Sequence, residues 1–303
     1  MSEEKKIYCG EPWEDPRCAE NCHVVTLDNG IDLPYVEFGE ENEEVVVSGA
    51  GYFITFNTFL KDLAKKYHVY GFIMRQDQIK EAAGEPVVAE EYAADGGVCW
   101  TRQWGKEVYE AAQKLGLERY RYVGKCHGVM PGWWIWRNHP EALISFASIS
   151  QTMHVCEQDR DDWNRLQRED PTAFTLNTMR KKENFAIKAQ ETATVGFNIG
   201  RDGKQVDMRR GNMMGTHTEY ICDSYDEAQE LLLHNEVPIL YLFPTNDILY
   251  SDFETANQWA FKNTARSRTV LLQGERHLFE MDIPHRMAFE VLTFFDWAEL
   301  PDA

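Results

Sequence analysis

Tyr120-Arg121-Tyr122-Val123-Gly124-Lys125-Cys126-His127-Gly128 is the stretch on which the reading of this chain turns. It opens as a short buried strand over Tyr120 to Val123, and the residues from Gly128 to Asn138 suit a helix. A strand that passes into a helix within so few residues must bend sharply. The central residue is forced into a strained conformation, and the residues two positions to either side must be small. Gly124 and Gly128 meet that need around Cys126. The cysteine is then held at the carboxyl edge of a sheet, at the positive end of the following helix, where a thiolate is favoured. A free thiol titrates at about 8.5, and a helix terminus with a neighbouring imidazole brings it toward neutrality. Alone, the pentapeptide fits an inert buried thiol equally well.

Outward from this turn, the sequence alternates strands and helices. Val24 to Leu27, Asp28-Asn29-Gly30 and Ile31 to Phe38 read as a hairpin around an Asn-Gly turn. Val45 to Val47 is a short apolar strand buried on both faces. A helix over Phe56 to Lys66, a strand over Val69 to Met74 and a helix over Thr101 to Leu115 precede the turn. A strand over Leu143 to Ser150 follows it. The rhythm returns with strands at Pro238 to Phe243 and Thr269 to Leu272, and helices at Asp252 to Lys262 and Pro284 to Trp297. Such alternation predicts right-handed crossovers, a mostly parallel sheet and helices on both of its faces.

Between the two blocks the rhythm stops. The residues from Gln151 to Asn235, roughly 85 in number, are too many for a simple loop. Asp170-Pro171 suits a helix start, and Ser224-Tyr225-Asp226-Glu227 a capping box. An insertion after a strand's carboxyl end lies over the ligand crevice of such a sheet. The expected organisation is therefore an extension over 1–23, a core over 24–151 and 236–303, and a helical lid over 152–235.

Composition narrows the function classes. Of 303 residues, 43% are hydrophobic and 13% aromatic, enough for a sizeable core. A formal net charge of −19 disfavours nucleic acid and anionic membrane surfaces as partners. No apolar run is long enough to span a membrane, and the polar start Met1-Ser2-Glu3-Glu4-Lys5-Lys6 does not resemble a secretory signal. Seven scattered cysteines then read as reduced cytoplasmic thiols. Cys18, Cys22 and His23 match no common zinc spacing, so no metal is expected.

Two further stretches complete a pattern. Asn246-Asp247 follows the strand Pro238 to Phe243, and Gly274-Glu275-Arg276-His277 precedes an apolar helix. With Leu115-Gly116-Leu117-Glu118-Arg119 before the cysteine turn and Asn138-His139-Pro140-Glu141 after it, the chain from Val24 onward resembles the α/β-hydrolase superfamily. The order nucleophile, acid, histidine is that superfamily's order.

The resemblance implies a Cys126–His277–Asp247 triad. His277 would take the thiol proton, and Asp247 would orient the imidazole. It also implies an oxyanion hole from the backbone N–H groups of His127 and of Ala50, in Ser48-Gly49-Ala50-Gly51. Relatives usually carry His-Gly where Ser48-Gly49 stands, and Val129, Pro131 and Met74-Arg75-Gln76 are further departures. Pro131 is expected to perturb the first turns of its helix. Candidate substrate contacts are Gly51, Trp133, Arg75 and Arg209, although core packing for the tryptophan and solvated ion pairs for the arginines are the simpler readings.

A cysteine at the elbow sets aside epoxide and haloalkane hydrolysis, which in this superfamily use aspartate. The expected substrate is a small, hydrophobic or aromatic ester, lactone or thioester, with no cofactor. The same residues suit cleavage of a carbon–carbon bond beside a ketone, or acyl transfer. Outside hydrolysis, a ligand-binding receptor on this fold or a redox-sensing thiol at Cys126 would also use the pattern. The aromatic surface would favour a homodimer.

Overall fold

The computed structural model describes residues 22–30, 32–49, 56–73, 100–150, 153, 221–222, 224–245, 264–275 and 279–301. The hairpin forms as β1 (Cys22–Thr26) and β2 (Asp32–Phe38), with the Gly30 N–H donating to the Leu27 carbonyl at 2.9 Å. There follow β3 (Val45–Ser48), α1 (Phe56–Leu63), β4 (His68–Phe72) and α2 (Trp100–Lys114). The central unit is β5 (Tyr120–Lys125), a 3₁₀ turn at Cys126–Gly128, α3 (Val129–Asn138) and β6 (Leu143–Ile149). The chain closes with α4 (Tyr225–Leu233), β7 (Ile239–Pro244), β8 (Ser267–Leu272), the short α5 (Phe279–Asp282) and α6 (Pro284–Ala298).

The eight strands form one sheet in the order β1-β2-β4-β3-β5-β6-β7-β8. Only the pairings of β2 with β1 and with β4 are antiparallel; β4 to β3 and every pairing from there to β8 are parallel. The expected mostly parallel sheet with helices on both faces is therefore what forms. Parallel pairing has a direct consequence for chemistry: β5, β6, β7 and β8 all end at the same edge.

Alternation along β5 decides which face each residue serves. Tyr120 and Tyr122 enter the cluster with Val129, Trp133 and Trp136 of α3, Val108 and Ala111 of α2, and Ala228 and Leu232 of α4. Val123 enters the opposite cluster, with Phe59 and Leu63 of α1, Phe279, and Met287, Val291, Phe294 and Phe295 of α6. In α6 the buried residues Met287, Ala288, Val291, Phe294 and Phe295 recur at helical spacing, and Pro284 starts the helix where no N–H is needed. Arg121, on the α6 side, is buried between the rings of Tyr67 and Phe295 and pairs with Glu44 and Glu299.

Three local expectations are refined. Pro131 leaves α3 unbroken, because in a helix's first turn its missing N–H would have no intrahelical acceptor. Ser224 caps α4, its hydroxyl accepting from the Glu227 N–H at 3.2 Å. That helix, read from sequence as part of the insertion, packs on the sheet: Ala228 and Leu232 are fully buried, and Glu227 pairs with Arg137 of α3. Met153, Ile221 and Cys222 are buried in the same cluster, and the residues between 153 and 221 lie outside the described ones, as does the helix expected over 252–262.

Candidate active site

Cys126 has φ +54°, a backbone conformation that a non-glycine residue adopts only when its surroundings impose it. It is half-buried, directly after β5, and the 3₁₀ turn it opens runs into α3. This is the strained strand-to-helix turn that the sequence predicts.

Small residues let the turn close. A Cβ on Gly124 would lie 2.1 Å from the Gly128 carbonyl oxygen and 2.6 Å from the Val129 Cα, both backbone atoms that cannot yield. A Cβ on Gly49, after β3, would meet the Gly128 oxygen at 2.6 Å and the Tyr122 hydroxyl at 2.2 Å. The Gly49 N–H donates to the Val123 carbonyl at 3.3 Å, which brings the end of β3 against the turn. The Tyr122 hydroxyl donates to the Gly128 carbonyl at 2.7 Å. Burial raises the pKa of that phenol well above its ordinary value, with Tyr120 adding to the effect and backbone hydrogen bonds at Gly132 and Gly49 opposing it. It therefore stays protonated as a donor.

The other face of the turn carries an ion pair. Lys125 Nζ lies 2.8 Å from Glu280 Oε2 with both side chains almost wholly enclosed, and the ammonium sits 5.6 Å from the Phe279 ring centroid. Sequence reasoning missed this pair. The signal available was a lysine on a buried strand and a glutamate opening an apolar helix, and nothing in the sequence matches the two.

The loops after β7 and β8 are tied at their bases. The Thr245 N–H donates to the Leu272 carbonyl at 3.0 Å, and Thr245 Oγ1 accepts from the Gly274 N–H at 2.8 Å. Asp247 and His277 follow these bases closely in sequence, and both lie outside the described residues. So do Ala50, Gly51, Arg75 and Arg209. His127 lies in the 3₁₀ turn directly after Cys126.

Trp133, for which core packing is the simpler reading and substrate contact the other, is fully buried. Its indole N–H donates to Ser148 Oγ at 3.2 Å, and its ring packs on Phe146, Trp136 and Tyr241. It faces the sheet because α3 turns that side inward. Among the described residues, no group of three or more His, Cys, Asp and Glu side chains is placed to hold a metal ion, and no helix is long and apolar enough to cross a membrane.

No protein-family model matches the sequence, and no curated protein matches it. Solved structures do. An epoxide hydrolase from Vigna radiata matches at TM-score 0.58 with 12% identity, over 91% of this chain and 97% of its own. The enol-lactonase from Burkholderia xenovorans LB400 matches at 0.57 with 14% identity, over 90% and 100%. A thermophilic esterase from Thermogutta terrifontis matches at 0.56 with 13% identity, over 92% and 99%. The chain has the α/β-hydrolase fold.

Proposed function

We propose that this protein hydrolyses a small, hydrophobic or aromatic acyl compound through a thioester on Cys126. The observation that carries the reading is the left-handed backbone of Cys126, held at the carboxyl edge between Gly124 and Gly128. Such strain persists where function needs a side chain presented. Structural neighbours named esterase and enol-lactonase show that this fold hosts ester and lactone chemistry, and the chain order Cys126, Asp247, His277 adds the remaining groups.

In the proposed mechanism, His277 takes the proton from the Cys126 thiol as sulfur attacks the substrate carbonyl. The tetrahedral oxyanion accepts hydrogen bonds from the backbone N–H groups of His127 and Ala50. As it collapses, the bond to the leaving oxygen breaks, and that oxygen takes the proton held by His277. Water, deprotonated by His277, then cleaves the thioester, releasing the acid and restoring the thiol. Asp247 keeps the imidazole in the required tautomer.

The test is intact-mass spectrometry with activated aryl esters, lactones and thioesters on wild type, Cys126→Ala and His277→Ala. An adduct that forms and decays in wild type, is absent in Cys126→Ala and forms slowly in His277→Ala supports the triad. Product formation by Cys126→Ala would refute it.

A further inference from the structure

The turn at Cys126 is gripped from both faces of the sheet, by different kinds of contact. On the α3 face the grip is local and neutral: the Tyr122 hydroxyl on the Gly128 carbonyl, and Gly49 packed beneath. On the α6 face it is distant and charged, through Lys125 to Glu280 on α5. Lys125 is the last residue of β5 and immediately precedes the strained cysteine, so a backbone displacement at Lys125 passes directly to Cys126.

The ion pair is poorly built as a source of stability. Both side chains are almost wholly enclosed, at 2% and 1% exposure, so each lost its hydration on folding. Among the described residues Glu280 Oε2 accepts no aligned hydrogen bond although the ammonium is 2.8 Å away, so within them the attraction is Coulombic. A buried pair repays desolvation only when its remaining donors and acceptors are satisfied; otherwise neutral isosteres are as stable or more so. What the pair does supply is a fixed distance between the end of β5 and the start of α5.

We propose that the buried Lys125–Glu280 ion pair is a positioning device that holds the Cys126 turn in its reactive left-handed conformation. The inference rests on the reading of Cys126 as nucleophile. Glu280 also follows His277 by three positions in sequence, so the same strut joins the nucleophile's turn to the stretch bearing the proposed base.

The experiment compares wild type with the neutral double variant Lys125→Met/Glu280→Gln, which leaves no buried charge uncompensated. Alkylation by iodoacetamide is followed from pH 5 to 10 by peptide mapping of the Cys126 peptide, beside a thermal melt. The expected result is an unchanged or raised melting temperature with Cys126 alkylation slowed about tenfold. The midpoint of the pH profile should move toward the value of about 8.5 for a free thiol, as sulfur leaves the helix terminus. The single variant Glu280→Gln, which strands the lysine, should melt lower. An alkylation profile in the double variant that superimposes on wild type overturns the proposal and leaves the pair a core staple. Ester turnover by Cys126→Ala, run in parallel, reports separately on the nucleophile.

Discussion

The sulfur of Cys222 lies 3.7 Å from that of Met153, both buried, although 69 residues separate them in sequence. The segments that flank residues 154–220 therefore meet in the core. Replacing residues 154–220 by a short Gly-Ser linker should leave a folded sheet, with far-ultraviolet circular dichroism and a cooperative melt retained. Discrimination among acyl substrates should be lost. Aggregation or a non-cooperative melt would show that the insertion is part of the core.

Gly124→Ala should be among the most damaging single-methyl changes in this protein. Its Cβ meets backbone on the far side of the turn, and neither partner can rotate away. The expected cost is about 3 kcal/mol or more by denaturant titration, with Cys126 alkylation altered in parallel.

Tyr122→Phe keeps the ring and removes only the hydroxyl that donates to Gly128. The stranded carbonyl should cost about 1–2 kcal/mol. Acylation of Cys126 should fall while affinity for substrate is kept, which a comparison of kcat with KM resolves.

Ser150 combines φ +66°, complete burial and a hydroxyl with no hydrogen-bond partner among the described residues. Ser150→Gly relieves the backbone and removes the orphan, and should stabilise the fold by about 1 kcal/mol. A lower melting temperature would show that the hydroxyl is engaged by a group outside those residues.

Asp62 of α1 sets one acid-sensitive contact. Burial raises its pKa, but hydrogen bonds from Lys65 and His285 outweigh that and hold the carboxyl below its ordinary value. At pH values between the folded and unfolded pKa the unfolded chain binds more protons, so stability rises with pH there. The contribution is complete above about pH 4 and fades as pH falls through the lower folded value. Melting temperature against pH should fall less steeply between pH 4 and 2 in Asp62→Asn than in wild type.

Most of the sheet was legible because its strands announce themselves locally. Val45 to Val47 and Tyr120 to Val123 each sit within a strand of the structure, and Pro238 to Phe243 overlaps β7 in all but its first residue. The bend at Cys126 was legible for the same reason, since its glycines are neighbours in sequence. What escaped was decided by partners far along the chain. The helix Tyr225–Leu233 carries a polar first turn, and its place on the sheet rests on Ala228 and Leu232 finding Trp136 and Ile239. Trp133 could have faced a pocket or the core, because an aromatic residue reads alike in both. Lys125 and Glu280 lie 155 positions apart in sequence, and only the fold brings them together.

The strand order has a further consequence. Strands β1, β2, β4 and β3 all come from residues 22–72, and β5 to β8 all from residues 120–272. The sheet is thus two consecutive halves joined along one seam, where Val46, Val47 and Ser48 pair with Arg121, Tyr122 and Val123. The cysteine turn sits at the top of that seam, with Gly49 of the first half lodged beneath Gly128 of the second. The thiol is then a built-in reporter of assembly: its reactivity should change as the two halves of the chain close on each other.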